Sequence, residues 1–505
     1  MTTLTRRGFL AASVATSAGL LLPARVKAQG AAHSLKATTR TLEVNGRAAT
    51  VMGLVNAQGT QGLTLAPGER FRVDLTNDLD METIIHWHGQ IPPNAQDGAP
   101  NTNPMLEVGE IRAYDFAPRA GTFWMHSHVP QHELGLLAAP LIVRSAEEQA
   151  EDRREVVMFL HDFSFLAPEE VLDQLAGGHM EGHDMSGHQM GGGSAPLSHQ
   201  TMSHGNMSGM DMSSMTMDHS SESGMDHMSG MAMDLNDFEF DAYLANDRTL
   251  DDPEVVTVEK GGRVRLRVIN GSSMTAYWLD LGALEGALVA VDGEQVQPVA
   301  GSRFPISPAQ RMDILVDLPA QSGAYPVLAK REGSTKQTGL VLASAGATIA
   351  KLSGDAETET PAATQDLDLE YRLRAVQSLP AREVSRHHDV MLGGSMDPYR
   401  WTINGQVWAN HAPIPVIHGE RVEMTFHNMS MMAHPMHLHG HVFQVVAING
   451  RRFAGARRDT VVVPPMSMVT IAFDAGETAR WMLHCHHMGH LATGMMTELQ
   501  VTTNV

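Results

Sequence analysis

The chain lacks several features, and each absence excludes a class of protein. Its 505 residues include one cysteine, Cys485, so no disulfide can form within the chain. Basic residues are outnumbered, 36 Lys and Arg against 57 Asp and Glu, and a net charge of −21 disfavours nucleic acid and anionic membranes as partners. After the N-terminal apolar run, no stretch is long and apolar enough to span a bilayer. We therefore expect an acidic protein without stable membrane insertion, and a monomer.

The start of the chain predicts export. Arg6 and Arg7 precede a short Ala-rich apolar run, and small residues near Ala28 suit cleavage. This pattern is typical of a twin-arginine signal peptide over residues 1–28. We expect a periplasmic protein whose mature chain begins near Gln29.

The surroundings of the single cysteine indicate a metal. Cys485 lies between His484 and His486, and His490 and Met495 follow. One thiolate, two imidazoles and a weak thioether form the ligand set of a blue-copper centre. On a strand, alternate side chains point to opposite faces, so the flanking histidines would bind a different metal from the thiolate. The tripeptide thus predicts two connected copper centres; the alternative is a buried free cysteine.

Three segments repeat one pattern and predict three similar domains. Each has a glycine, an arginine two residues later and an asparagine seven residues after that, beginning at Gly68, Gly261 and Gly419. The pattern suggests a turn followed by a half-buried strand. The positions eighteen and twenty residues after each glycine are His86 and His88, Leu279 and Leu281, and His437 and His439. Metal ligands are therefore expected from the outer two domains.

Short β-branched runs and frequent turn residues indicate an all-β protein. We predict domains over 36–147, 155–350 and 366–505, each a sandwich of short antiparallel strands. Within the second domain, residues 179–233 contain thirteen methionines, seven histidines and no aromatic residue, which predicts a flexible insert. Thioethers select Cu(I), so the insert is expected to hold additional Cu(I) or Cu(II); the alternative is a loop whose methionines only adapt to their neighbours.

The remaining histidines complete a metal-binding pattern. Two histidines at i and i+2 on a strand share a face and can approach one metal site together. Such clusters occur four times, and they are contributed by the first and last predicted domains: His86 and His88; His126 and His128; His434, His437 and His439; His484, His486 and His490.

With these motifs the chain resembles a bacterial three-domain multicopper oxidase, similar to periplasmic cuprous oxidases and copper-resistance oxidases. The resemblance covers essentially the whole mature chain and implies three cupredoxin-like Greek-key β-sandwich domains and four copper ions. It implies a type 1 copper on His434, Cys485, His490 and Met495; a type 2 copper on His86 and His437; and two type 3 coppers, one on His88, His126 and His486 and one on His128, His439 and His484.

The family also suggests a source of protons. Asp97 stands eleven residues after His86, where an acid supports the trinuclear centre in similar enzymes. The alternative is an Asp that stabilises a turn before Gly98. The loop around His490 carries no second acid of the kind that some members have.

Methionines near the expected type 1 copper bear on the substrate. The loop before His434 and the residues before His490 are rich in thioethers: Met429, Met431, Met432, Met436 and Met488. By resemblance to cuprous oxidases, Met432 and Met488 are candidates to contact a substrate copper, although Ser430 stands where that site has an Asp. The alternative is that these methionines pack the copper loops.

Three functions follow from this pattern. The first is oxidation of Cu(I) coupled to four-electron reduction of O2 to water, in copper tolerance. The second is a laccase-like oxidase of phenols or aromatic amines, with the Met-rich segment as a lid. The third is non-enzymatic copper sequestration, which the full set of trinuclear ligands argues against because storage does not need it.

Overall fold

The computed structural model describes residues 31–177 and 235–503. The predicted signal peptide and the predicted Met/His-rich insert at 179–233 lie outside the described residues. Strands dominate, and their sheets form three consecutive units of two sheets each. No described helix is long and apolar enough to cross a membrane.

The first unit contains eight strands in two four-stranded sheets, with strand orders β2-β1-β4-β6 and β3-β8-β7-β5. A short helix, α1 (Pro130–Leu134), separates its last two strands. The strands are β1 (His33–Val44), β2 (Arg47–Asn56), β3 (Leu63–Leu65), β4 (Phe71–Asn77), β5 (Ile85–His86), β6 (Ile111–Phe116), β7 (Gly121–Ser127) and β8 (Ala138–Val143).

The second unit follows α2 (Ala146–Ala150) and also contains α3 (Pro168–Ala176). Its sheets have the orders β10-β9-β12-β17-β14-β15 and β11-β19-β18-β13-β16. The strands are β9 (Arg154–Phe163), β10 (Ala242–Ala245), β11 (Val255–Val258), β12 (Arg263–Asn270), β13 (Tyr277–Asp280), β14 (Gly286–Val291), β15 (Glu294–Gly301), β16 (Arg303–Ile306), β17 (Arg311–Asp317), β18 (Ala324–Arg331) and β19 (Gln337–Ser344).

The third unit follows α4 (Asp368–Arg372) and contains α5 (Met488–Ala492). Its sheets have the orders β21-β20-β23-β29-β25-β26, with β27 also on β25, and β22-β31-β30-β24-β28. The strands are β20 (Arg386–Met396), β21 (Tyr399–Ile403), β22 (Ile414–Ile417), β23 (Arg421–Asn428), β24 (His434–Leu438), β25 (Phe443–Ile448), β26 (Arg451–Arg452), β27 (Arg457–Arg458), β28 (Thr460–Val463), β29 (Met468–Asp474), β30 (Arg480–Cys485) and β31 (Met496–Thr502).

All six sheets are mixed, which corrects the prediction of purely antiparallel sandwiches. Each sheet has one parallel pair, at the same place in every unit: β1–β4 and β3–β8, β9–β12 and β11–β19, β20–β23 and β22–β31. A parallel pair requires a crossover rather than a hairpin. The sequence pattern could not show this, because strand direction depends on which distant segments pair. The all-β prediction of three cupredoxin-like sandwiches is confirmed.

The three sequence repeats fold as turns followed by β4, β12 and β23. Their first glycines have positive φ of 70°, 66° and 80°, a backbone conformation that costs other residues energy. The closing asparagines, Asn77, Asn270 and Asn428, are buried. Their amides donate to backbone carbonyls of the loops beyond: Asn428 Nδ2 reaches the oxygens of Met432 at 2.7 Å and Val463 at 2.9 Å. The repeat therefore fixes the loops that lead to the histidine motifs.

Replacing Asn428 with Ala tests this role. The change leaves the buried carbonyls of Met432, Val463 and Pro464 without their donor, and one unsatisfied buried group costs about 1–3 kcal/mol. We expect Asn428→Ala to lower the apparent free energy of unfolding by at least about 2 kcal/mol in urea denaturation. The exposed Asn410 is the control, since Asn410→Ala should stay within about 0.5 kcal/mol of the unchanged protein. Equal losses in both variants would contradict the assignment.

Candidate metal centre

Eight histidines from the first and third units meet at one buried site between the units. None is more than 6 % exposed. Antiparallel strand pairs bring them together, because His86 on β5 faces His126 on β7 and His437 on β24 faces His484 on β30. The members of this histidine cluster are His86, His88, His126, His128, His437, His439, His484 and His486.

Distances within the histidine cluster define smaller donor groups. The Nε2 atoms of His128 and His439 are 3.3 Å apart, and those of His439 and His484 are 3.1 Å apart. Ring nitrogens of His86, His88 and His126 lie within 4.8 Å of one another. The imidazole rings of His88 and His126 both lie 5.0 Å from that of His486. The sequence-predicted trinuclear residues are thus together in space.

Hydrogen bonds set which nitrogen of each ring faces inward. His86 Nδ1 donates to the carbonyl of Asp97 at 2.8 Å, and His437 Nδ1 donates to that of Asp459 at 2.8 Å. His484 Nδ1 donates to the carbonyl of Cys485 at 3.0 Å. With one nitrogen protonated in this way, the opposite nitrogen keeps its lone pair and can bind a metal.

The inward nitrogens have the properties of metal ligands. Burial lowers the pKa of His86, His88 and His437 well below the usual value, so these rings are neutral. Six buried nitrogens of the histidine cluster have no hydrogen-bond partner among the described residues: Nε2 of His86, His126, His437 and His486, and Nδ1 of His88 and His486. Unpaired buried acceptors are costly, and a bound metal would satisfy them. The donors therefore fit copper, for which imidazole is a suitable ligand.

Cys485 lies on the other face of its strand, as the alternation predicted. Its sulfur is 3.7 Å from His434 Nδ1 and 3.5 Å from His490 Nδ1, and those two nitrogens are 3.1 Å apart. The Met495 side chain is fully buried, and its carbonyl accepts from the Cys485 amide at 3.1 Å. Burial raises the pKa of the Cys485 thiol, so a metal that binds the thiolate must displace a proton.

The outer nitrogens of the cysteine site are held by residues that sequence reasoning did not assign. His434 Nε2 donates to Ser430 Oγ at 2.8 Å, so Ser430 orients this ring. His490 Nε2 lies 3.3 Å from the buried Asp237 carboxylate, which also accepts from the Tyr399 hydroxyl. At position 430 the sequence shows a serine in place of the family's Asp, whereas nothing in the sequence near Asp237 indicates its contact with a histidine 253 residues away.

Asp97 lies beside the histidine cluster. It accepts from His439 Nδ1 at 2.8 Å, and burial, with a smaller effect from Glu477, raises its pKa to about 8. The next residue must be glycine, because a Cβ on Gly98 would lie 1.8 Å from the Ile85 carbonyl. The turn and the contact with the histidines are therefore one feature.

Two further acids contact the histidine cluster and were missed. Glu133 on α1 lies 2.7 Å from His126 Nδ1 and 3.8 Å from His486 Nδ1. Asp459 Oδ1 accepts from His88 Nε2 at 3.2 Å. The only sequence signal for Glu133 is its position five residues after His128.

The methionine candidates differ in accessibility. Met432 is 6 % exposed and lines a small cavity with Met274, Met431 and His487. Met488 is 1 % exposed and lies within the apolar core.

Buried donors for several metal ions, shared between two cupredoxin-like units, define a metal-dependent redox protein. Models of the multicopper oxidase family match residues 36–148, 212–353 and 384–505. The chain belongs to the multicopper oxidase family, whose members are copper-dependent oxidoreductases that use oxygen.

Relatives span almost the whole chain. Multicopper oxidase MmcO of Mycobacterium tuberculosis is 28 % identical over 98 % of this chain and 96 % of its own length. Copper resistance protein A of Escherichia coli is 25 % identical over 95 % and 94 %. Laccase-2 of Botryotinia fuckeliana is 22 % identical over 85 % and 75 %.

Solved structures agree on the fold. A multi-copper oxidase from Pseudomonas thermotolerans superposes with a TM-score of 0.65 at 21 % identity, covering 94 % of this chain and 100 % of that chain. McoA from Aquifex aeolicus has a TM-score of 0.65 at 21 % identity, covering 94 % and 97 %.

One buried ion pair connects all three units at the cluster. Arg311 on β17 donates to Asp459 Oδ1 at 2.7 Å and to the Thr122 carbonyl on β7 at 3.2 Å. Asp459 belongs to the third unit and holds His88 of the first. The second unit thus supports the cluster although it contributes none of the eight histidines.

Removing the guanidinium tests this connection. Arg311→Met leaves the Asp459 carboxylate buried without its counter-charge, which typically costs about 3–5 kcal/mol. We expect a loss of that size in the apparent free energy of unfolding. In Asp459→Asn combined with Arg311→Met, part of the loss should return because the unpaired charge is gone.

The matched control is Arg248→Met. Arg248 pairs with Asp252 on the surface, where the carboxylate is 87 % exposed, and its loss should cost less than about 1 kcal/mol. If both arginines cost the same, the buried pair does not hold the units together.

Proposed function

We propose that this multicopper oxidase takes electrons from Cu(I) and reduces O2 to water, and that its role is copper tolerance. The observation that supports this proposal most directly is the group of thioethers in the loop before His434. Met429 and Met431 are exposed, and Met432 lines the cavity beside them. Thioethers are soft ligands that select Cu(I). The similarity to the relative named Copper resistance protein A also supports a role in copper tolerance.

The proposal assigns four copper ions to the donors. His434, Cys485, His490 and Met495 would hold the type 1 ion, and His86 and His437 the type 2 ion. The type 3 ions would be held by His88, His126 and His486, and by His128, His439 and His484. When bound, the copper ions supply one-electron acceptance from the substrate and four-electron reduction of O2.

The chain itself connects the two sites. His484 and His486 are covalent neighbours of Cys485 and point into the histidine cluster, while the cysteine sulfur lies among His434 and His490. Two peptide links therefore join the cysteine site to both type 3 groups. No loop movement is needed to bring the two sites together.

Asp97 and Glu133 are the proposed proton donors. Each carboxyl is buried and contacts histidines of the cluster, Asp97 at His439 and Glu133 at His126. Reduction of O2 to water consumes protons, which must enter a site closed to bulk solvent. Glu133 fills the role for which the loop around His490 offers no acid.

The surroundings of the cysteine site, at His490 and Met432, favour a small ion over a bulky organic molecule as the substrate. The His490 side chain is fully buried and its outer nitrogen faces Asp237. The cavity at Met432 is small and has Met274 and Met431 among its other lining residues. We assign Met432 to the substrate copper; Met488 is inside the core, so its sulfur supports the packing of α5 in this proposal.

A laccase-like oxidase is the second candidate, favoured by relatives named laccases. If this candidate is right, removal of residues 179–233 should raise activity on bulky organic substrates. The third candidate, copper sequestration without catalysis, does not need the buried histidine cluster.

The proposal also includes the domain bounds, the binding of copper by residues 179–233 and the route of export. The domains are taken as 36–147, 155–350 and 366–505, and residues 179–233 are taken to bind additional copper. The arginine pair near the N-terminus supports twin-arginine export to the periplasm.

Oxygen uptake separates the candidates. The copper-loaded protein is supplied with Cu(I) or with a phenol, before and after deletion of residues 179–233. We expect uptake with Cu(I) that falls on deletion. Phenol oxidation that rises on deletion, with no uptake from Cu(I), would favour the laccase-like function, and tight copper binding without uptake would favour sequestration. Cys485→Ser should abolish the blue colour and all uptake.

A glutamine at position 133 tests proton delivery. Glu133→Gln keeps the shape and the contact with His126 but cannot supply a proton, so we expect kcat to fall by about 100-fold with copper content unchanged. The fall should be accompanied by a solvent deuterium isotope effect on kcat that the unchanged enzyme lacks. The fully exposed Glu147, as Glu147→Gln, is the control. A loss of copper in Glu133→Gln would instead indicate a structural role.

A further inference from the structure

An unusual group of exposed methionines lies at one end of the third unit. Among the described residues, six methionines are more than 36 % exposed, and five of them are on this unit: Met391, Met429, Met431, Met466 and Met468. The core takes up methionine as an apolar filler, but an exposed thioether contributes little to packing. These sulfurs are therefore available to a ligand that arrives from solvent.

Two of these methionines flank a histidine on neighbouring strands. Met391 on β20 is directly opposite His427 on β23, and His427 is directly opposite Met468 on β29. Residues paired in this way have Cβ atoms about 5 Å apart on the same face of the sheet. Three metal-binding side chains are thus side by side, in the order Met–His–Met.

The row faces outward. Along β23, the neighbours of His427, which are Phe426 and Asn428, are both buried, so the alternation of the strand directs His427 to the outer face. Met391 and Met468 are each 39 % exposed and the His427 side chain is 24 % exposed. All three are accessible to an ion from solvent.

An acid prepares the histidine for binding. His427 Nε2 donates to Asp389 Oδ1 at 2.8 Å, which leaves Nδ1 with its lone pair. Asp389 precedes Met391 by two residues and so shares its face of β20. A carboxylate in this position orients a ligating histidine and makes it a stronger donor.

We propose that Met391, His427 and Met468 form a surface site for a monovalent soft metal ion, Cu(I) in the cell. Two thioethers and one imidazole are soft, neutral donors, which favour Cu(I) over divalent ions that prefer thiolate, carboxylate or several imidazoles. The carboxylate of Asp389 is hydrogen-bonded to His427 and supports the site without binding the ion.

The site lies where it can supply the oxidase. β23 continues directly into the loop that carries exposed Met429 and Met431, then Met432 at the cavity, then His434. Thioethers therefore follow one another from the outer face of the sheet to the cysteine site. This supply role rests on the proposed oxidation of Cu(I), whereas ion binding at the row does not.

Silver provides the test of binding, because Ag(I) shares the soft, monovalent chemistry of Cu(I) and is not oxidised by the enzyme. The copper-loaded, full-length protein is treated briefly with hydrogen peroxide at increasing Ag(I), and sulfoxide is measured at each methionine by peptide mass spectrometry. Coordinated sulfur resists oxidation. We expect Met391 and Met468 to become protected together, at one Ag(I) concentration.

Variants assign the protection to the row. His427→Gln removes the central ligand and Asp389→Asn removes its carboxylate partner, and each should raise the Ag(I) needed to protect both methionines by about tenfold or more. Protection of Met81, which is 41 % exposed on the first unit, should be the same in all variants. The site is refuted if Met391 and Met468 stay oxidisable at saturating Ag(I), or if His427→Gln leaves their protection unchanged.

Kinetics test the supply role separately. In the double variant Met391→Leu with Met468→Leu, we expect the KM for Cu(I) to rise about tenfold with kcat unchanged, as for loss of a binding step. Met396→Leu, on the other face of β20, is the control. If KM is unchanged in the double variant while Ag(I) protects Met391 and Met468 in the unchanged protein, the supply role is refuted and the site remains. If the unchanged enzyme does not oxidise Cu(I), the proposed function is refuted, and the silver experiment still decides whether the site exists.

Discussion

The buried pair of Arg311 and Asp459 is the interaction on which the rest of this structure depends. A carboxylate and a guanidinium removed from water are stable only when each satisfies the other. Here Arg311 comes from the second unit, Asp459 from the third, and the first unit contributes the Thr122 carbonyl and His88. The pair therefore fixes the position of all three units at the point where the histidines meet. A cluster divided between two units needs a third part of the chain to hold them in register.

The polarity of the metal centre is set by the backbone as much as by side chains. Carbonyls of Asp97, Asp459 and Cys485 each accept from the outer nitrogen of a histidine and so direct its lone pair inward. These acceptors exist only when their loops are correctly folded. Acids then take positions that carbonyls cannot fill, at His439, His126 and His88. Ligand geometry and folding of the outer units are consequently one property.

The sequence predicts which histidines come together, but not which groups orient them. In each motif the first histidine lies at or near the end of a strand and the last one, at 88, 128, 439 or 486, follows within two residues after the strand. The spacing therefore predicted their grouping although the alternation of a strand does not extend over the whole motif. Glu133 and Asp459 are single acids without a repeated pattern, and Asp237 reaches His490 only through the packing of the second unit on the third. The parallel strand pairs were missed for the same reason, since pairing is decided by tertiary contacts. Ser430 was noticed as a departure, yet its hydrogen bond to His434 required the fold.

The leucines of the middle unit have a consequence for which of its residues can change without affecting the metal centre. Leu279 and Leu281 stand where the outer units have histidines, and both are buried in the apolar core. The middle unit contributes no histidine to the cluster, and it supports the metal centre through border contacts such as those of Arg311 and Asp237. Between those borders the chain has room for long insertions: residues 179–233 stand between α3 and β10 in the sequence and interrupt no described strand. Changes of sequence within this unit, away from Arg311 and Asp237, are therefore expected to leave the buried histidine cluster intact.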